Sequence, residues 1–148
     1  MTLALDATYF AGLGRGVGAI LLYALLGALL MLVGFWAIDI TTPGKLNQLV
    51  RDGRPGAVVV TSAGMVSMAF IVVTAIFTAS GLLAEGLLAS LVYGLVGIIA
   101  QVAGVRLLEW VTGIKIGPAL AADELLPEAW VVAATHIALG LIVAVAII

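Results

Sequence analysis

The chain has 148 residues, 64% of them hydrophobic and 9% charged, with a formal net charge of −2 and a mean hydropathy of +1.32. A soluble domain is about 25% charged, so this chain lacks the polar surface to face water and reads as an integral membrane protein. There is no cysteine, which excludes disulfides, thiolate metal sites and cysteine nucleophiles, and no basic patch for nucleic acid.

Residues 1–15 place Asp6 and Arg15 around a short, mixed apolar stretch. An acid stands where a signal peptide wants a base, so no cleavage is expected. Gly12, Gly14, Gly16 and Gly18 alternate with no strand before them, which is not a dinucleotide fingerprint. A flexible entry to the first span is expected, with Gly12/Gly16 and Gly14/Gly18 as close-approach pairs if a helix reaches that far. Gly16 to Ile38 is free of charge. At about 1.5 Å per residue it covers roughly 34 Å, enough for a hydrocarbon core of about 30 Å. This is the first span, and Trp36 near its end suits an interface.

Thr42 then caps and Pro43 opens a short amphipathic helix, expected to lie on the membrane surface. Its apolar positions are Leu46, Leu49 and Val50, and Gly53 stops it. Lys45, Arg51 and Arg54 are expected toward the headgroups. A second span follows over about 57–79, a tight turn at Glu85, and a third span over about 86–105. Arg106 and Glu109 close it at i, i+3 spacing and can pair on one helix face. After Pro118 the run ALAADELL repeats the surface-helix theme in acidic form. The fourth span covers about 129–148.

The chain repeats itself. Leu21–Lys45 laid over Leu91–Lys115 without a gap matches Tyr23/Tyr93, Gly27/Gly97, Gly34/Gly104, Thr42/Thr112 and Lys45/Lys115, with acid on acid at Asp39/Glu109. Pro55/Pro127, Ala57/Ala129 and Val60/Val132 continue the match after a two-residue insertion in the loop. Two glycines, a tyrosine, an acid and a lysine in register argue for an internal duplication. The expected architecture is all-α: four transmembrane helices as two tandem, parallel-repeat hairpins with short cytoplasmic surface helices. An N-terminal segment 1–15 precedes repeat one at 16–84 and repeat two at 85–148. The loops after spans one and three carry Lys45, Arg51, Arg54, Arg106 and Lys115, whereas the other side carries only Arg15. The positive-inside rule therefore puts both termini outside the cytoplasmic (inner) membrane of a bacterium.

These features are shared with a known family. Two hairpins with an Asp-x-x-Thr-Pro turn after span one (Asp39, Thr42, Pro43), Gly53, and Gly64 in the small-residue start of span two resemble the bacterial domain-of-unknown-function 350 family over nearly the whole chain. The family usually has an Asn at the start of span two, where this chain has Arg54-Pro55. The resemblance implies a four-span membrane protein with no established activity. Its members are often encoded near polyamine-related enzymes and envelope-stress proteins, which implies a small accessory component.

His136 is the only histidine and lies inside span four. It shares a helical stripe with Ala129, Ala133, Gly140 and Ala144, so it is expected to face protein. A polar group there is hydrogen-bonded or functional. Three readings stand open: a hydrogen bond to a neighbouring helix, a proton-relay or ligand site, and a metal or haem ligand completed by another chain or a Met. Gln101 in span three can bond across helices. Span two offers Ala57, Thr61, Gly64 and Met68 at the equivalent stripe, and a second line of Ser67, Thr74 and Gly81 read as packing or as a polar conduit. Asp39, Lys45, Arg106, Glu109 and Lys115 form a charged cluster at the cytoplasmic ends, read as interfacial ion pairs or as a pore mouth. Gly27, Gly34, Gly64, Gly97, Gly104 and Gly140 are expected helix-packing positions. HExxH, P-loop and nucleophile-elbow motifs are absent, so no enzyme, catalytic residue, metal or cofactor is expected. The expected partners are the lipid bilayer, further copies of the chain and another membrane protein. The function reads as an accessory or structural membrane component, or alternatively as a small homo-oligomeric channel or transporter for an ion or small solute.

Overall fold

The computed structural model describes residues 7–41, 44–78 and 82–148, with side chains from Tyr9 onward. They form six helices and no strand: α1 Ala7–Thr41, α2 Leu46–Arg51, α3 Pro55–Phe77, α4 Leu83–Thr112, α5 Ile116–Ala121 and α6 Pro127–Ile147. α1, α3, α4 and α6 are long and apolar enough to cross a membrane. Helices satisfy every backbone group internally, which hydrocarbon demands. α3 and α6 open on Pro55 and Pro127, where a missing N–H removes no intrahelical bond. α4 closes on Gly113 at φ 69°, a left-handed residue that suits glycine. At 23 and 21 residues, α3 and α6 match a core of about 30 Å, whereas α1 and α4, at 35 and 30 residues, exceed it.

Several boundaries differ from the sequence reading. α1 starts at Ala7, so Gly12–Gly18 are helical and not a flexible entry. Arg15 does not end the helix, because its Nε–H turns back to the Ala11 carbonyl. Glu85 lies in the first turn of α4 and not in a turn between spans; an acid there complements the helix dipole. α4 continues to Thr112, well past 105, because Arg106 and Glu109 pair along it. α5 takes in Pro118 and ends before Asp123 and Glu124, so the acidic run is not helical. The expected cap Thr42 and helix start Pro43 lie outside the described residues.

α3 is the central helix. It packs along α6 over the greatest length and also touches α1 and α4, while α4 touches α1 and α6. α1 and α6 occupy the far corners. The outward faces are apolar, with Ile20, Leu21 and Leu32 of α1 and Ile142 and Val145 of α6 exposed, as lipid contact requires. Trp36, Trp110 and Trp130 are all exposed near the helix ends that α2 and α5 adjoin. That end holds five of the six Lys and Arg, beside six of the eight Asp and Glu; it is called the basic end hereafter for its cations alone, and the three indoles suit its headgroup level.

α2 and α5 turn apolar side chains into the bundle. Leu46 and Leu120 are fully buried and Ile116 nearly so, in one core cluster with Ile38, Val60 and Val132. Both helices touch α3 and each other. Each has six residues, too short to present a broad apolar face to a membrane, and together they cap the bundle. A second cluster of Leu30, Met68, Ile71, Val72 and Ile98 fills the other half.

Candidate functional site: a polar clasp inside the bundle

Three polar side chains meet where α3, α4 and α6 converge. His136 Nδ1 lies 3.0 Å from Gln101 Oε1. An amide oxygen only accepts, so Nδ1 carries the proton and donates. Gln101 Nε2 donates to Ser67 Oγ at 2.6 Å, and Ser67 Oγ donates to the His136 main-chain oxygen at 2.6 Å. The bonds form a closed circuit, and all three residues are at most 2% exposed. Buried polar groups inside a membrane are costly unless partnered; here each supplies the next one's partner.

The glycines make the circuit possible. A Cβ on Gly140 would fall 2.0 Å from Ser67 Oγ and 2.9 Å from Ser67 Cα, so glycine lets Ser67 reach the carbonyl one turn below. Gly64 stands across from the imidazole, where a Cβ would lie 3.9 Å from His136 Nδ1 and 3.0 Å from Ile38 Cδ1. Gly97 and Gly104 admit Ile71 and Leu139, and Gly34 and Gly27 admit Met68 and Val72. All six packing glycines therefore make contacts within one chain. Among the glycines inside helices, Gly12, Gly14, Gly16 and Gly18 have open space around them.

A small pocket runs from the basic end to His136, between Ile38 and Thr41 of α1, Val102 and Arg106 of α4, and Ile116 of α5. Its enclosed volume is about 20 Å³. Gln101 and Ser67 lie outside its lining. Thr41 Oγ1 donates to the Ala37 carbonyl at 2.7 Å.

The charged residues do not gather into one cluster. Asp39 Oδ1 accepts the Asn47 amide at 2.9 Å, and Glu109 Oε1 accepts the Ile116 amide at 3.5 Å. Each matched acid thus meets the start of the short helix that follows it, where a carboxylate is favoured. Glu109 also pairs with Arg106 at 2.7 Å. Lys45 and Lys115 are exposed at the starts of α2 and α5. A further ion pair joins Arg54 to Asp123 across the two loops.

Sequence reasoning found His136 and Gln101 but gave Ser67 no site role. Of its line with Thr74 and Gly81, Ser67 is engaged in the clasp, Thr74 is half-buried and Gly81 lies outside the described residues. Thr61 Oγ1 and Ser90 Oγ are buried with no hydrogen-bond partner among the described residues. Among those residues no three of His, Asp and Glu come together as metal ligands.

The family model described as Domain of Unknown Function (DUF350) matches residues 11–147. The chain belongs to this family. This DUF350 chain is 45% identical over 86 residues to a UPF0719 transmembrane protein of Mycolicibacterium paratuberculosis, covering 57% of each chain. It is 42% identical over 81 residues to a UPF0719 transmembrane protein of Mycobacterium bovis, covering 54% of this chain and 53% of the other. The alignments thus span little more than half the length of these curated relatives. No solved structure matches. With four apolar helices and relatives named as transmembrane proteins, the chain is a multi-pass membrane protein.

Proposed function

We propose that this protein is an accessory or structural component of the bacterial cytoplasmic membrane that binds other membrane proteins and catalyses no reaction of its own. The observation that carries the reading is the closed circuit of His136, Gln101 and Ser67. Three of the five buried polar residues among those described, His136, Gln101 and Ser67, are engaged with one another, which suits a packing unit better than a conduit. The packing glycines meet side chains of the same chain, so contacts with other proteins, or with further copies, fall to the outer faces of α1 and α4. Lys45, Arg51, Arg54, Arg106 and Lys115 at the basic end support an orientation with that end in the cytoplasm and both termini outside.

The test is native mass spectrometry of the complex drawn from its own membrane in native lipid. The reading expects a defined mass containing a second membrane protein. A homo-oligomer alone would count against it and favour the channel or transporter reading. That second reading draws on one observation, the pocket that leads from the basic end to His136.

A further inference from the structure

The clasp uses only one edge of the imidazole. Nδ1–H is held by Gln101, which makes Nε2 the bare, accepting nitrogen of the neutral ring. No hydrogen bond to Nε2 forms among the described residues, and His136 and Arg106 both line the pocket. A cavity needs about 10–15 Å³ and roughly two to four polar partners to hold a water; this one measures about 20 Å³, and the polar side chains in its lining are Thr41, Arg106 and His136. Two features therefore coincide on one side chain: an acceptor with no protein partner among the described residues on a residue 2% exposed, and a space of one water's size that the same residue lines.

We propose that this pocket is a water site in which Nε2 of His136 accepts a hydrogen bond from a single water entering from the basic end. The inference goes beyond the accessory reading and does not depend on it. Arg106 is the one charged group lining the pocket, and its guanidinium is engaged by Glu109. The walls from α1, α3, α5 and α6 add no titratable group besides His136. A proton delivered by hydronium moves to Nε2, leaving water and an imidazolium whose Nδ1–H still donates to Gln101, and the reverse step restores the neutral ring. The Gln101 amide is no proton relay, so the path ends at the clasp. The site exchanges protons with one side only and carries none across.

His136 is the sole histidine, so labelling with ¹⁵N-histidine reports one ring in the full chain. The experiment is nitrogen NMR of the labelled protein in lipid nanodiscs, reading the ring tautomer and magnetisation transfer from water. The proposal expects a ring protonated at Nδ1 with a water contact at Nε2. It expects Val102→Ile, which adds a methyl group to the pocket wall, to lose that contact while Nδ1 stays protonated. A ring protonated at Nε2, a wild-type ring without a water contact, or a contact unchanged in Val102→Ile would each overturn it. The wild-type spectrum alone decides the matter if the variant does not fold.

Discussion

At the scale of single residues, Gly140 and Ser67 set how close α6 comes to α3. Gly140→Ala places a methyl group on Ser67 Oγ and near Ser67 Cα. The backbone cannot yield as a side-chain tip can, so the helices must part. The expected loss is about 2 kcal/mol or more, measured by reversible unfolding in mixed micelles. Gly16→Ala, with open space at its Cβ, serves as the matched control; it is expected to be neutral or stabilising, by up to about 1 kcal/mol. Gln101→Leu keeps the bulk but leaves His136 Nδ1–H without its acceptor, and is expected to destabilise by about 1–2 kcal/mol. An unchanged unfolding midpoint in Gln101→Leu would show that the clasp carries no stability. His136 and Gln101 were legible in the sequence because a polar residue inside a charge-free run must find a partner. Ser67 was not. Serine is ordinary in membrane helices, and its pairing depends on the rotation of α3 against α6, which Gly140 decides from another helix.

At the scale of elements, the acids that close α1 and α4 act on the short helices after them. Asp39 holds the Asn47 amide, so Asp39→Ala is expected to cost about 1 kcal/mol and to raise hydrogen exchange locally over α2. Exchange spread evenly over the chain would argue against a local cap. The Arg54–Asp123 pair is a weaker tie: Asp123 is almost wholly exposed. Arg54→Ala is expected to shift the unfolding midpoint within the range of about 0.5 kcal/mol usual for exposed pairs. Pro55, Pro127 and Gly113 bound α3, α6 and α4 through local geometry, a signal that span limits drawn from charge and hydropathy left unused. The start of α1 was not readable. Four alternating glycines look like a loop, yet no proline or unpaired charge stops the helix, and the apolar residues around them favour it in lipid. The burial of α2 and α5 was also hidden, since six-residue helices that cap a bundle differ from surface helices only in what lies beneath them.

At the scale of the whole molecule, Asp39 and Glu109 each meet the start of a short helix, and Pro55 and Pro127 each open a spanning helix. The sequence match is incomplete where chemistry enters: position 64 is glycine where the second copy has His136, and a Cβ there would meet Ile38 at 3.0 Å but the ring only at ordinary contact distance. A chain without cysteine suits single-cysteine mapping in intact cells. A cysteine at Asn47 or Asp123 is expected to stay unlabelled by a membrane-impermeant reagent, and one at Thr8 or Phe77 to be labelled; the reverse pattern would invert the orientation.

The central claim is that His136, Gln101 and Ser67 clasp the helices of this bundle and do not line a path across the membrane. Proton flux into proteoliposomes holding the folded, purified protein tests it most directly. The account predicts flux no greater than in empty liposomes, unchanged in His136→Ala. Flux well above that background, abolished in His136→Ala, would contradict it.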